Sequence, residues 1–538
     1  FLPSSFRQLR RLASILLYLQ TSAHELRKKN MFLTALLLLL LAASTTHALS
    51  SHYKGLVSNN TVYGKGASPA IFVTPFLPNG FQKAQALAKM NLKKYDMYSG
   101  FFTIDELTNS NTYFVFSKAL SGKADAPVLL WLQGGPGASS LFGLFTEIGP
   151  FNIDKDLKMV PRQGSWNQDH HMLFLDNPLG TGFSFTNELS RMATNQTTIG
   201  QDLYTALIQF FELFPDLRSN DFFVTGESYA GKYVPSCALE IHEQNKKLTD
   251  PIKKINLRGI AIGDGAFDPA GQFYNFGDLL YYTGMADEAE LKQYKLYETQ
   301  WNQKMTVGDY VGAFRVFDEM LNGDLHPYPT YYANQTGMGT NYFNLDQGPD
   351  GSSLTENYFI DWLETTAARE LMHVGSIPYN VFNQTVESRL LRDWMQGVTD
   401  KLAILLDNYR VLIYSGQYDI ILGPPLTEQA LRNIHWSGQE QYLEAPKKVW
   451  RIPMMTLLPQ TATMQVDRKL RTSVVDSTAS TTTNVADDDV LEDVAGYYRT
   501  VGNFTQLVVR GAGHMVPGDQ PVRALDMIRR FVQGKPFN

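Results

Sequence analysis

Ser228 stands in Gly226-Glu227-Ser228-Tyr229-Ala230-Gly231, between an apolar run that reads as a strand (Asp221 to Thr225) and a stretch that reads as a helix (Tyr229 to Gln244). A serine at so tight a strand-to-helix turn is pushed out of the fold, and the N–H groups opening the helix can stabilise an oxyanion. The strict Gly-x-Ser-x-Gly spacing asks for glycine at 230; here it is Ala230, with Gly231 one place on. On the hexapeptide alone, an ordinary turn serine is the competing reading. A serine nucleophile needs a base, and the base needs an orienting carboxylate. Asp419 lies in Ser415-Gly416-Gln417-Tyr418-Asp419, after the apolar run Arg410 to Tyr414. His514 lies in Gly511-Ala512-Gly513-His514-Met515-Val516-Pro517, after Leu507-Val508-Val509. A lone loop histidine is ordinarily a surface residue. In a glycine-rich loop after a terminal strand, downstream of a nucleophile turn, it is a candidate base.

These residues must be held by the elements that precede them. Pro127 to Leu132 is an unbroken apolar run closed by Gly134-Gly135-Pro136-Gly137, Met172 to Leu175 is closed by Asp176-Asn177-Pro178, and Leu257 to Ile262 by Gly263-Asp264-Gly265. Short apolar runs without polar alternation fit strands buried on both faces of a parallel sheet. Residues 95–120, with Tyr113-Phe114-Val115-Phe116, alternate between turn signals and suggest antiparallel strands. Between the runs lie helical patterns such as Asp202 to Phe214. The fold class is therefore α/β, with a mostly parallel central sheet, helices on both faces, and Ser, Asp and His in the chain order of an α/β-hydrolase.

The domain reading is a core in two parts, 49–266 and 402–538, interrupted by residues 267–401. That segment is rich in Tyr, Trp, Gln and Asn, has helical patterning and no buried-strand runs, and is expected to be a cap insertion over the substrate site. Residues 453–493, with Thr472-Ser473, Ser480 to Thr483 and Asp487-Asp488-Asp489, are apolar-poor and are expected to form a disordered insertion.

The chain has 538 residues, 44% hydrophobic and 12% aromatic, enough to bury a large core. Its net charge of −6 argues against a nucleic-acid partner. One cysteine, Cys237, excludes an intrachain disulfide and a cysteine-based metal site, and by itself leans toward the cytosol. The N-terminal region points elsewhere. Phe32 to Ala43 is an apolar run too short for a comfortable membrane span but suited to a secretory signal, with Thr46-His47-Ala48 offering a cleavage site. Met31 precedes the run and reads as the initiator, so residues 1–30 are expected to be an upstream extension and 31–48 a signal peptide. A buried N-terminal helix or a transit peptide (Arg7, Arg10, Arg11) are the competing readings. Sequons at Asn59, Asn195, Asn334, Asn383 and Asn503 are candidate glycosylation sites on an exported chain. No later stretch reads as a membrane span. No His-Glu-x-x-His or His-x-x-Glu-His pattern occurs, and no metal or organic cofactor is expected.

Several separate motifs, in order, resemble the serine carboxypeptidase family. They are Trp131-Leu132-Gln133-Gly134-Gly135-Pro136-Gly137, Ser165-Trp166-Asn167, Asp176 to Ser184, Gly226 to Gly231, Val494-Ala495-Gly496-Tyr497 and Gly511 to Pro517. The resemblance runs from about Tyr98 to the C-terminus, outside the 453–493 segment. Gln133, where most members carry Asn, is similar to the vitellogenic-type branch. The resemblance implies Ser228 as nucleophile, His514 as general base and Asp419 as its orienter. It implies an oxyanion hole at the N–H groups of Gly135 and Tyr229, and binding of the substrate's carboxylate by Gln133, Glu147 and Glu227. Crowded carboxyls cannot all ionise cheaply, so a neutral Glu227 is expected to donate to that carboxylate, and peptidase activity is expected at acidic pH. Phe142, Thr146 and Met515 match positions lining the leaving-residue pocket, with plain core packing the competing reading for Phe142 and Met515. Most relatives use disulfides, one with a cysteine in the place of Ala138; this chain has none.

The expected activity is hydrolysis of C-terminal peptide bonds through an acyl-enzyme, on peptide or protein substrates with a free carboxylate. The destination is the secretory pathway, with a secreted or lysosomal/vesicular protein. The alternatives are an acyltransferase of the same fold, or a non-catalytic binding or stabilising protein.

Overall fold

The computed structural model describes residues 68–349, 357–453 and 492–538. The expected upstream extension and signal peptide, Asn59, and residues 454–491 of the expected insertion lie outside the described residues.

Twelve strands are described: β1 (Met97–Asp105), β2 (Ser110–Ser117), β3 (Val128–Leu132), β4 (Phe151–Ile153), β5 (Met159–Pro161), β6 (His171–Leu175), β7 (Phe222–Glu227), β8 (Leu257–Gly263), β9 (Arg410–Gly416), β10 (Lys448–Pro453), β11 (Glu492–Val501) and β12 (Phe504–Val509). Ten form one sheet in the order β1-β2-β6-β3-β7-β8-β9-β12-β11-β10, and β4 pairs with β5 apart from it. The six central strands from β6 to β12 run parallel, and an antiparallel pair closes each edge. The chain is an α/β-hydrolase in fold.

The unalternating apolar runs are explained by burial on both faces. In β3, Val128, Leu130 and Leu132 enter one core cluster while Leu129 and Trp131 enter the other. In β9, Val411 and Ile413 face the first and Leu412 and Tyr414 the second. Each such side chain contributes about 1.5–3 kcal/mol on burial. Helices α1 (Gln196–Leu213) and α2 (Ala230–Lys247) supply Leu203, Phe210, Tyr233 and Val234 to the first cluster. The C-terminal helix Pro521–Gln533 supplies Leu525, Ile528 and Phe531 to the second. The α1 helix starts before the expected Asp202, because Asn195 caps it: its Oδ1 accepts the Thr198 N–H at 3.0 Å.

The described part of 267–401 contains helices and no strand of the sheet, among them α3 (Glu288–Thr306), α4 (Tyr310–Phe317), α5 (Gln384–Trp394) and the first residues of α6 (Thr399–Asn408). The expected insertion 453–493 needs narrower bounds. Pro453 closes β10 and pairs with Glu492, while Asp493 pairs with Ile452, so these residues form the sheet's edge hairpin. Alternation hid this hairpin: in Lys448–Pro453 only Trp450 and Ile452 are buried, as befits an edge strand. Cys237 is a free thiol inside α2.

Candidate active site

All six parallel strands end at one edge of the sheet, and Ser228, Asp419, His514, Gln133 and Glu227 lie at or just after these ends. Ser228 follows β7 with φ +62°, in the left-handed region that few non-glycine residues adopt. Its N–H donates to Gly263 O at 3.0 Å, and its carbonyl accepts the N–H groups of Gly231 and Ala266 at 2.9 Å each. The turn needs glycine at 226 and 231 rather than at 230. A Cβ at Gly226 would sit 2.5 Å from Leu132 O, and one at Gly231 would sit 2.7 Å from Ala266 N. Ala230 opens α2 without such conflict.

Asp419 and His514 come from adjacent strands, β9 and β12, whose ends pair at Gly416 and Val509. Their loops are tied by Gln417 N–H to Val509 O (3.0 Å) and Tyr418 N–H to Ala512 O (2.8 Å). The His514 Nδ1 to Asp419 Oδ2 distance is 2.9 Å, and both side chains are buried. His514 Nε2 has no hydrogen-bond partner among the described residues, Ser228 included. Helical-segment residues pack against this pair: Phe343 O accepts the His514 N–H at 2.7 Å, and the two rings are 5.0 Å apart.

Gly134 and Gly135 carry the β3 end against the serine turn. A Cβ on Gly134 would meet Tyr229 N at 2.5 Å and Ser228 Cβ at 2.7 Å. Gly135 has φ +101°, and a Cβ there would meet Ala138 N at 2.7 Å. Gln133 Oε1 accepts from the Trp131 indole at 2.9 Å, which leaves its Nε2 to donate to Glu227 Oε1 at 2.7 Å. Glu227 and Glu147 are both buried, close enough for their carboxyls to act on each other electrostatically. Burial, then the Glu147 carboxyl, holds Glu227 well above the usual carboxyl range. Burial likewise raises Glu147, to about 7, with Arg162 and His514 acting against it. Arg162 was not legible as a site residue; its guanidinium binds Thr146 O at 2.9 Å and Phe145 O, fixing the helical turn Gly143–Glu147 that presents Glu147.

Thr146 and Phe142 are half-buried, with Thr146 Oγ1 donating to Phe142 O at 2.6 Å. Met515 is buried at the start of the short helix Val516–Asp519, which packs on that turn. A Cβ at Gly518 would lie 3.8 Å from Glu147 Cγ and 3.9 Å from Met515 Cβ. Asp519, also missed, accepts from Gly513 N–H at 2.7 Å and Asn344 Nδ2 at 2.9 Å, and so shapes the His514 loop. Of the sequons, Asn195, Asn334 and Asn503 are exposed. Asn383 is half-buried and its Nδ2 donates to Gly180 O at 2.7 Å. Among the described residues, the one His/Cys/Asp/Glu cluster close enough to hold a metal is Asp264, Asp419 and His514. The His514 to Asp419 contact already commits it.

A strained strand-to-helix serine turn and a buried His–Asp pair at one edge of an α/β-hydrolase sheet make a candidate serine-hydrolase site. Residues 88–534 match the family model described as serine carboxypeptidase. The chain is 40% identical to the venom serine carboxypeptidase of Apis mellifera over 88% of this chain and 93% of that one. It is 38% identical to the probable serine carboxypeptidase CPVL of Homo sapiens (90% and 94%) and 35% identical to the vitellogenic carboxypeptidase of Aedes aegypti (87% and 90%). The solved structure of a prohormone-processing carboxypeptidase from Saccharomyces cerevisiae shares the fold, with TM-score 0.66 at 20% identity, covering 82% of this chain and 92% of that one. The chain belongs to the serine carboxypeptidase family, and it is a hydrolase acting on peptides. No helix among the described residues is long and apolar enough to cross a membrane.

Proposed function

We propose that this protein removes C-terminal residues from peptides through an acyl-enzyme formed on Ser228, with an acidic working range. The carrying observation is the buried 2.9 Å contact between His514 Nδ1 and Asp419 Oδ2 at the strand edge that presents Ser228. In this reading Asp419 fixes the imidazole so that Nε2 faces the nucleophile. His514 Nε2 takes the Ser228 hydroxyl proton as Oγ attacks the last peptide carbonyl. The tetrahedral oxygen receives the N–H groups of Gly135 and Tyr229, brought together by the close approach of Gly134 to Tyr229. Collapse passes the proton from His514 to the leaving amine, and water repeats the sequence to release the acyl group.

Exopeptidase selectivity rests on Gln133, Glu147 and Glu227. A protonated Glu227 and the Gln133 amide are donors that meet the substrate carboxylate; two ionised glutamates would repel it. Phe142, Thr146 and Met515, grouped at the turn and short helix beside Glu147, form the wall of the pocket for the leaving residue. The helices of 267–401 act as the cap, with Phe343 already against His514. Export through the secretory pathway, to a secreted or vesicular destination, follows from the leader reading, with Asn195, Asn334 and Asn503 as exposed glycan acceptors. The test is hydrolysis of an N-blocked dipeptide with and without an added amine acceptor. Release of the free acid supports the peptidase; transfer to the acceptor at the expense of hydrolysis identifies an acyltransferase.

A further inference from the structure

Asp264 enters the site from a strand end that the sequence marked only as a turn. It is fully buried, with φ +42°, and its N–H donates to Tyr414 O at 2.8 Å. Its Oδ1 accepts the Gly416 N–H at 2.7 Å, tying the β8 end to the loop that carries Asp419. One side-chain atom each from Asp264, Asp419 and His514 lie within 4.8 Å of one another. Asp419 Oδ2 is taken by His514, while Asp419 Oδ1 and Asp264 Oδ2 are both buried and have no hydrogen-bond donor among the described residues.

Two acceptor oxygens without donors in a buried site are costly. Two adjacent buried carboxylates also cannot both ionise cheaply. One proton between them removes both penalties. The groups facing Asp264 decide where it resides. They are Asp419, Glu227 from the β7 end and the Tyr414 hydroxyl, with His514 beyond Asp419. Asp419 is hydrogen-bonded to His514, whereas Asp264 makes no salt bridge to a Lys or Arg among the described residues. Burial and the Asp419 charge both push Asp264 well above the usual carboxyl range.

We propose that Asp264 is a positioning residue: its neutral carboxyl donates a proton from Oδ2 to Asp419 Oδ1, so that Asp419 is held by Asp264 on one oxygen and by His514 on the other. The inference rests on the reading of Ser228, Asp419 and His514 given above. Its consequence is electrostatic as well as geometric. One negative charge beside His514 orients it; two would hold a proton on the imidazole and remove the base at low pH. A neutral Asp264 leaves His514 facing a single carboxylate.

The experiment compares wild type with Asp264→Asn and Asp264→Leu, using Ser228→Ala as the blank, on an N-blocked dipeptide acid across the acid limb of kcat/KM. The Asn amide also donates and carries no charge. Asp264→Asn is expected to keep kcat within about threefold and the acid-limb midpoint in place. Asp264→Leu should lose about 10–100-fold in kcat with KM unchanged, as for other groups that orient a catalytic residue from behind. A midpoint that drops by about one unit in Asp264→Asn means that a real negative charge was removed, and overturns the proposal. Full activity in Asp264→Leu also overturns it. An infrared difference spectrum of wild type minus Asp264→Asn near neutral pH needs no turnover and covers the case in which Asp264→Leu does not fold. A protonated-carboxyl C=O band is expected; a carboxylate band in its place overturns the proposal. Absence of wild-type activity above the Ser228→Ala blank removes the triad reading and, with it, the positioning role.

Discussion

The Gln133 amide and the Glu227 carboxyl meet at 2.7 Å from the ends of neighbouring strands, which pair at Leu132 and Gly226. The Trp131 indole on Gln133 Oε1 settles which way the amide points. An amide donor and a carboxyl that burial holds well above its usual range thus stand together beside Ser228.

This patch gives a pH dependence with a definite sign. The Glu147 carboxyl is raised to about 7 and Glu227 is held well above the usual carboxyl range, both chiefly by burial, so both are expected to be protonated in acid. As pH rises through about 7, Glu147 ionises and the patch turns against an anionic substrate. KM for a peptide with a free carboxylate should rise by up to about tenfold per pH unit above that midpoint, while KM for the matching C-terminal amide stays flat. Glu147→Gln should flatten the acid substrate's KM profile. Steady-state kinetics from about pH 5 to 8 check this; a flat wild-type profile contradicts it.

Backbone proximity at the serine turn gives a second expectation. Because a Cβ on Gly134 would press on Tyr229 N and Ser228 Cβ, Gly134→Ala should displace the proposed oxyanion donors. A loss of about 10²–10³ in kcat is expected, comparable to removing one such donor. Circular dichroism confirming an intact fold, with unchanged kcat, would count against the assigned oxyanion hole.

A buried ion pair underlies the nucleophile helix. Lys232 on α2 is fully buried, and its ammonium lies 2.9 Å from Asp393 Oδ2 on α5. The same oxygen accepts from the Tyr229 hydroxyl at 2.5 Å and from Gln196 Nε2 at 2.7 Å. Lys232→Met leaves a buried carboxylate short of its cation and should cost about 3–5 kcal/mol. Removing both charges with Lys232→Met/Asp393→Leu should recover part of that. Urea denaturation midpoints measure both, and an additive double mutant would contradict the coupling.

The sequence showed the parallel strands because burial on both faces leaves runs such as Val128 to Leu132 without polar breaks, and showed the serine turn through its fixed glycines. It could not show Asp264, Lys232 or Arg162 as parts of the site. Each is an ordinary polar residue; Asp264 and Lys232 meet partners far along the chain, Asp419 and Asp393, and Arg162 binds backbone carbonyls of a nearby turn that carry no sequence signal. Only the folded topology makes these contacts. The edge hairpin was concealed for another reason. Its outer strand, Lys448–Pro453, buries one face only, and the 454–491 connection breaks the spacing that signals a hairpin.

That register makes a fourth prediction. Since Pro453 pairs with Glu492, a two-residue Asn-Gly turn has the reach to replace residues 454–491. The shortened protein should fold and keep kcat/KM within about threefold, since a tight turn of that kind preserves strand register. Loss of folding or of activity would assign the segment a role beyond connecting two strands.

The most direct measurement is hydrolysis of an N-blocked dipeptide acid near pH ~5, beside its C-terminal amide, by wild type and Ser228→Ala. The wild type should release the terminal residue from the acid, handle the amide poorly, and lose at least about 10⁴-fold in kcat on Ser228→Ala. No wild-type turnover, or equal turnover by Ser228→Ala, would contradict the account at its centre.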